Sequence, residues 1–167
     1  MRRDEKFTAY VAARAGVLRR SAYLLCGDWH RAEDLVQSAL TKVYLSWGRV
    51  SRADNVDGYV RTMLVRTYLD EQRRRWRREL PTDDVGDHDG TDPSDRVATR
   101  LDLVRALGTL PPRQRAVVVL RCWEDLPIAE VARTLDCSEG TVKSQTSRGL
   151  AARRAELTLG LQEGTHR

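Results

Sequence analysis

The sequence has few cysteines and no long hydrophobic run, and each shortage excludes a class of protein. Its three cysteines, Cys26, Cys122 and Cys137, are odd in number, widely separated and set in apolar surroundings. We therefore expect buried thiols rather than a disulfide framework. No segment approaches the roughly 18 apolar residues of a membrane span, and residues 1–6 lead into a polar segment unlike a secretory signal. We expect no membrane insertion and a cytoplasmic location.

Residues for metal binding and catalysis are scarce as well. Cys26 and His30 could supply two metal ligands, but no second pair accompanies them. The sequence contains no activated nucleophile, no paired acid and base and no phosphate-binding loop. We therefore predict no metal site and no other cofactor, and we do not predict an enzyme.

The composition favours a folded protein with a polyanionic partner. Of 167 residues, 41% are hydrophobic, which is enough for a modest core in one medium domain or two small ones. Lysine and arginine number 29 against 24 acidic residues, and the net charge is +5. An excess of this size permits binding to nucleic acid without requiring it.

The first half of the chain has the apolar periodicity of α-helices. Phe7, Tyr10 and Leu18 belong to a repeat that predicts one or two N-terminal helices, and a longer stripe begins at His30. Its inward positions are Ala32, Leu35, Val36, Ala39, Leu40, Val43, Tyr44 and Trp47. The polar residues between them face away from the core, namely Glu33, Asp34, Gln37, Thr41 and Lys42. From periodicity alone this face is a solvated surface.

A loop is predicted from Gly48 to Gly58, followed by a helix that ends in a cluster of arginines. Tyr59, Val60, Met63, Leu64, Tyr68 and Leu69 form its apolar stripe. The arginines of the cluster, which surround Trp76, are Arg73, Arg74, Arg75, Arg77 and Arg78. Guanidinium groups pair with phosphates and an aromatic ring stacks on an unpaired base, so the cluster favours nucleic acid. The alternative is a solvated helix end whose arginines complement the helix dipole.

An acidic segment with almost no apolar residues then separates the two halves. Seven acids lie between Glu79 and Asp95, together with prolines and glycines, which predicts a flexible linker. Its DHDG sequence suggests a calcium loop. However, when Gly90 is aligned with the central glycine of such a loop, Val85 and Arg96 occupy the positions of the first and last carboxylates. We therefore predict no calcium site.

The second half ends in two helices joined by a short turn. Pro127 opens the first helix, and its inward face carries Ile128, Val131, Ala132 and Leu135. Ser138 caps the second helix, on which Val142 and Leu150 face inward. The outward side chains are Lys143, Ser144, Gln145, Ser147 and Arg148. Two packed helices without a role in DNA binding are the alternative, but the pattern favours a helix-turn-helix that enters a major groove.

Nearly the whole sequence resembles the extracytoplasmic-function sigma factors, the small group of the sigma-70 superfamily of bacterial RNA polymerase subunits. AEDLVQSAL is similar to their region 2.2, GYVRTMLVRTYLDEQRRR to regions 2.3 and 2.4, and the segment from LPPRQRAVVVL to GLAARR to region 4. The resemblance implies an all-α fold of two small helical domains. These are a region 2 domain at 1–78 and a region 4 domain at 97–159, with the acidic linker at 79–96 and a frayed tail at 160–167.

The resemblance also implies specific roles for residues of the first domain. Asp34 and Gln37, with Glu33 beside them, match the positions that dock on the β′ clamp helices of core polymerase. The loop and helix that follow match the segment that melts the minus-ten element and captures an unstacked base. The residues implied in that step are Asn55, Val56, Asp57, Tyr59, Arg61 and Arg66, and the DNA contact continues through Arg73, Arg74 and Trp76.

In the second domain the resemblance implies contact with the polymerase β flap and with the minus-35 element. The residues that match the face contacting the major groove are Thr141, Lys143, Ser144, Gln145, Ser147 and Arg148. Three positions depart from the usual family pattern: Ser38 replaces a glutamate, Arg66 an asparagine and Gln145 an arginine. Glutamine pairs with adenine where arginine favours guanine, so the minus-35 sequence cannot be copied from a relative.

A sigma factor is therefore the predicted function, with a free-standing helix-turn-helix regulator as the alternative. A sigma factor would bind core polymerase together with duplex and melted promoter DNA, and the family is often controlled by an anti-sigma factor. A regulator of the second kind would bind duplex DNA alone as a symmetric dimer. No dimerisation stripe exists beyond the helices already assigned, and the resemblance implies a monomer when free.

Overall fold

The computed structural model describes residues 2–78 and 95–163, and it describes the side chains of residues 2–78 and 102–151. The described residues form α-helices, one π-helical turn and short connections. The chain divides into two compact units, Met1–Pro81 and Thr82–Arg167. The predicted all-α fold of two small helical domains is confirmed. Most of the predicted acidic linker lies outside the described residues.

The first unit contains four helices: α1 (Arg3–Cys26), α2 (Trp29–Leu45), α3 (Trp47–Val50) and α4 (Val56–Arg77). Helix α1 ends at Gly27, whose φ of 76° is a left-handed conformation that glycine adopts without strain. Asp28 then caps α2, because its carboxylate accepts hydrogen bonds from the backbone N–H groups of His30 and Arg31. Gly27 and Asp28 together mark the turn between α1 and α2, and α2 packs against both α1 and α4.

The core of the first unit is formed by most of the periodic apolar positions that the sequence shows, but Tyr44, which was predicted to face inward, is exposed. Leu35 and Val43 of α2 and Leu64 of α4 are 2% exposed or less. Burying each of these side chains contributes about 1.5–3 kcal/mol to folding. The five polar residues assigned to the opposite face of α2 are all exposed, as predicted.

The predicted loop from Gly48 to Gly58 is wrong at both ends, since residues 48–50 belong to α3 and residues 56–58 to the first turn of α4. Trp47 and Val50 are buried, and residues 47–50 form the short helix α3. The Trp47 ring packs against Phe7 at 5.3 Å and against Tyr10 at 5.5 Å between ring centroids. The burial of Trp47 against α1 therefore outweighs the low helix propensity of Gly48. Only residues 51–55 form the connection to α4.

The second unit contains α5 (Asp95–Gly108), α6 (Pro112–Val118), a π-helical turn (Val119–Trp123), α7 (Ile128–Leu135) and α8 (Glu139–Glu163). Helices α5, α6 and α7 all pack against α8. Helix α5 begins at Asp95, inside the predicted linker, and α8 extends into the predicted frayed tail. Residues 164–167 lie outside the described part of the chain.

The π-helical turn accounts for an exposed cysteine in the segment after α6. Cys122 is exposed, although a buried thiol was expected, and the neighbouring Trp123 is 48% exposed. A π turn holds one residue more than an α turn, and this rotates the following side chains off the inward face. Cys26 and Cys137 are half-buried, so the prediction of buried thiols is also wrong for them, and no disulfide joins the three cysteines, all of which lie in the described part of the chain.

Candidate polymerase and nucleic-acid interfaces

The turn between α7 and α8 has the geometry of a helix-turn-helix. Asp136 ends α7 in a left-handed conformation with φ of 52°, which aspartate tolerates better than most residues. The Ser138 hydroxyl oxygen then accepts a hydrogen bond from the Thr141 backbone N–H at 3.1 Å. The predicted cap is therefore present, and α8 starts within a few residues of the end of α7.

The outer face of α8 carries most of the side chains predicted to contact the major groove. Lys143, Ser144, Ser147 and Arg148 are exposed. Thr141 is half-buried, and its hydroxyl lies 2.9 Å from the Ser138 hydroxyl. Thr141 therefore helps to form the start of the helix, and four exposed residues remain to meet a groove.

Gln145 does not project outward as the sequence analysis expects. It is half-buried, and its Oε1 atom is buried without a hydrogen-bond partner among the described residues. Gln145 lies three residues after the buried Val142 and four before the buried Gly149, so it belongs to the inward stripe of α8. Its expected pairing with adenine requires the side chain to leave this position.

The polar face of α2 brings together the three residues expected to bind polymerase. Glu33, Asp34 and Gln37 are exposed on one side of the helix. Glu33 also accepts a hydrogen bond at 2.9 Å from Arg19 of α1. Both partners are about half exposed, so this pair adds little to stability and leaves Glu33 accessible.

Glu71 of α4 lies near enough to Asp34 of α2 for the two carboxylates to interact electrostatically, and it is not among the residues predicted from the sequence. Partial burial raises the pKa of Glu71, and the nearby Asp34 carboxylate acts in the same direction. Lys42, Arg31 and Arg74 oppose this rise in pKa through their positive charges. No periodic signal reveals this cluster, because it forms only when α2 and α4 pack together.

We expect Glu71→Gln to stabilise the protein at neutral pH. A carboxyl group with a raised pKa holds its proton more tightly in the folded chain, so stability falls as pH rises above the ordinary value of 4.5. The variant removes this loss, so its melting temperature should exceed that of the parent at pH 7 and match it at pH 4. A lower melting temperature at pH 7 would show that the attraction of the three cations dominates.

The first turn of α4 contains the residues expected to melt the minus-ten element, and two of them also make internal contacts. The Asn55 side chain caps α4 by accepting a hydrogen bond from the Gly58 N–H at 2.9 Å. One Asp57 oxygen accepts a hydrogen bond from the Tyr10 hydroxyl at 2.8 Å and lies 3.1 Å from Arg14 Nε. Val56 and Tyr59 are half-buried.

Further along α4 the expected DNA contacts divide between two faces. Tyr59, Arg66 and Arg73 are spaced by seven residues, so they share one side of the helix over about 21 Å. Arg66 and Arg73 are exposed, whereas Arg61 is half-buried and lies on another side. The structure therefore groups Arg66 with the arginine cluster and separates Arg61 from it.

The end of α4 exposes an aromatic ring among arginines. Trp76 is 87% exposed, and Arg73, Arg74, Arg77 and Arg78 are exposed around it. Arg73 forms a 2.9 Å ion pair with Asp70 one turn earlier, which orients its guanidinium along the helix. Folding buries little of this indole, and its expected stacking on a nucleic-acid base stays a prediction.

The described residues contain no group of three or more His, Cys, Asp or Glu side chains placed to hold a metal ion. In the same part of the chain, no helix is both long and apolar enough to cross a membrane.

Comparison with known proteins places both units in one family. Residues 3–78 match the sequence profile of Sigma-70 region 2, and residues 100–152 match that of Sigma-70, region 4. The RNA polymerase sigma-E factor of Streptomyces avermitilis is 39% identical over 152 residues, which cover 91% of this chain and 85% of that protein. The ECF RNA polymerase sigma factor SigE of Mycolicibacterium smegmatis is 35% identical over 146 residues, covering 83% of this chain and 56% of that protein.

Solved structures show the same fold. The sigma factor RpoE of Bartonella quintana, in complex with the anti-sigma factor NepR, matches with a TM-score of 0.73 at 24% identity, covering 92% of this chain and 98% of that one. CnrH, in complex with the cytosolic domain of CnrY, matches with a TM-score of 0.62 at 22% identity, covering 93% and 90% of the two chains.

Proposed function

The chain belongs to the extracytoplasmic-function sigma factors of the sigma-70 family, and from this membership we propose which steps of transcription initiation each of its two units performs. It is an RNA polymerase sigma factor, and members of this family are not enzymes. As a subunit of RNA polymerase it acts in the cytoplasm, at the nucleoid when bound to DNA. The match to region 2 supports this function over that of a free-standing helix-turn-helix regulator.

The first unit binds core polymerase through α2 and opens the promoter through the segment that follows. Asp34 and Gln37, with Glu33, dock on the β′ clamp helices. Residues 51–55 and the first turn of α4 capture the unstacked base, and the exposed Trp76 and its arginines contact the DNA beyond it. Unpairing a base costs a few kcal/mol, which a pocket that stacks the base offsets.

The second unit binds the minus-35 element and the β flap. The observation that carries this division of roles is that polar side chains expected to make contacts are exposed on α2 and, apart from Thr141 and Gln145, on α8. Apolar residues on the inward face of each helix, such as Leu35 and Val142, are buried. Lys143 and Arg148 supply positive charge for phosphates, and Ser144 and Ser147 supply hydroxyl groups that donate to or accept from base edges.

A protein inhibitor is a further proposed partner. RpoE and CnrH, which share this fold, were solved with an anti-sigma factor and with the cytosolic domain of CnrY respectively. An anti-sigma factor for this chain would cover the exposed α2 face and so compete with core polymerase. Competition binding with labelled core polymerase would measure this directly once an inhibitor is identified.

In vitro transcription with purified core polymerase and a genomic promoter library tests the proposed function. We expect transcripts with defined start sites only when the chain is added, from promoters that share a minus-ten and a minus-35 element. If the chain leaves transcription by core polymerase unchanged and binds duplex DNA as a symmetric dimer, the sigma factor function is wrong for this protein.

We expect Lys143→Ala and Arg148→Ala each to weaken holoenzyme binding to promoters by about tenfold, because each removes a charged contact to DNA. Binding should also become less dependent on salt concentration. Arg105→Ala is the matched control, since Arg105 is exposed on α5 of the same unit. The assignment fails if both variants lose as much affinity on promoter fragments truncated so that they lack the minus-35 DNA.

A further inference from the structure

Helix α1 contacts the chain on both sides of the connection at residues 51–55. On the N-terminal side, the Tyr10 ring packs against Trp47 of α3 with centroids 5.5 Å apart. On the C-terminal side, the Tyr10 hydroxyl donates a hydrogen bond to Asp57 of α4 at 2.8 Å. One side chain therefore bridges the two ends of the connection. We call Tyr10, Arg14, Trp47 and Asp57 the α1 clasp.

The second member from α1, Arg14, reinforces the contact to Asp57. Its Nε atom lies 3.1 Å from the Asp57 oxygen that also accepts the Tyr10 hydrogen bond. The arginine and aspartate side chains are 37% and 45% exposed, so the ion pair alone is weak. A hydrogen bond to a charged group is stronger than one between neutral groups, and this makes Tyr10 the central residue of the clasp.

The Tyr10 hydroxyl remains a donor over the whole physiological pH range. Burial raises the pKa of Tyr10 above its ordinary value of 10.0, and the hydrogen bond to the negatively charged Asp57 raises it further. Tyr10 therefore keeps the hydroxyl proton that this hydrogen bond requires at physiological pH.

We propose that Tyr10 and Arg14 are positioning residues for promoter opening, which hold residues 51–55 in the shape that accepts the unstacked base. Asp57 then acts by anchoring the first turn of α4 to α1, and not by touching DNA as the sequence analysis expects. The inference rests on the proposed function of this segment. A loop that already has its bound shape before DNA arrives loses less conformational entropy on binding. The clasp therefore favours capture of the base.

Open-complex formation by holoenzyme carrying Tyr10→Phe tests the inference. The variant keeps the ring that packs on Trp47 and removes only the hydroxyl. On duplex promoter we expect open complexes to form about tenfold more slowly, the effect of losing one hydrogen bond to a charged group. On a promoter with a pre-melted minus-ten region the variant should also bind more weakly, because the same loop captures the unpaired base there, whereas its affinity for core polymerase should match wild type.

Arg14→Gln should show the same pattern with a smaller effect, and Arg20→Gln is its matched control because Arg20 is exposed elsewhere on α1. Asp57→Asn keeps an acceptor for Tyr10 but loses the charge, so its effect should be less than additive with that of Tyr10→Phe. Wild-type rates for Tyr10→Phe on duplex, or wild-type binding of this variant to the pre-melted template, would overturn the inference. A loss by Asp57→Asn on the pre-melted template that persists undiminished in the Tyr10→Phe background would assign Asp57 to DNA contact instead.

Hydrogen exchange on the free protein tests the clasp independently of the proposed function. Tyr10→Phe should accelerate exchange of the amides at residues 51–55 and leave those in the middle of α2 unchanged. If wild-type holoenzyme gives no promoter-specific transcript, the proposed function fails while the exchange result still decides whether the clasp exists. Unchanged exchange at residues 51–55 would show that Tyr10 does not hold this segment.

Discussion

Adding one methyl group at Gly149 is expected to destabilise the second unit by about 1–3 kcal/mol, the range for overpacking a core. Gly149 is buried on α8, and a Cβ atom built there would lie closer than 3.0 Å to Cγ2 of Val118 on α6. Helix propensity alone predicts the opposite sign, because alanine favours a helix interior over glycine by about 1 kcal/mol. Hydrogen exchange of the α6 and α8 amides measures the loss, with the first unit as internal reference.

Two further variants decide whether the contact with Val118 causes this loss. Gly140→Ala is the matched control on the same helix, since its nearest neighbour would be the Ser138 hydroxyl at 3.9 Å, and it should not destabilise the protein. Val118→Ala removes the opposing methyl group and should partly rescue Gly149→Ala in a double-mutant cycle. Strictly additive losses would show that the two side chains do not meet.

Asp34→Arg is expected to lower affinity for core polymerase by about 30-fold, the size of a hot-spot substitution at a protein interface. The side chain is exposed on α2, so the substitution removes a contact without disturbing the core of the first unit. Binding of the labelled variant to purified core polymerase measures the effect, and thermal unfolding of the free chain checks that the fold is intact.

Asp102→Arg is the matched charge reversal for this experiment, since Asp102 is exposed on α5 of the other unit. It should leave core affinity near the wild-type value. Gln37→Ala, one helix turn from Asp34, should reduce affinity in the same direction. If Asp34→Arg binds core polymerase as tightly as wild type does, α2 is not the docking face.

Helix positions and their caps follow from local chemistry, and for this reason the sequence predicts them well. The apolar residues of α2 recur every three or four positions, Asp28 caps the start of α2, and Ser138 caps α8. All of these features involve residues close together in the chain. The outward polar face of α2 follows from the same periodicity, because a helix that buries one stripe must expose the other. The resemblance to sigma factors rests on these same segments, and the comparisons confirm it.

The features that the sequence could not supply involve residues far apart in the chain. The contact between Tyr10 and Asp57 joins positions 47 residues apart, and Glu71 meets Lys42 and Asp34 only when α4 lies against α2. The inward position of Gln145 and the outward position of Trp123 depend on helix rotation and on the π turn. No local pattern encodes these contacts.

The sequence by itself determined most of the helical segments, the Ser138 cap, the polar face of α2 and the family to which the chain belongs. The tertiary structure alone decided which of the polar residues expected to contact DNA already have partners in distant parts of the chain. The Asp57 carboxylate, for example, accepts a hydrogen bond from Tyr10 of α1, 47 residues away. A side chain's chemistry is set by its type, but its partner is set by the packing that brings distant segments together.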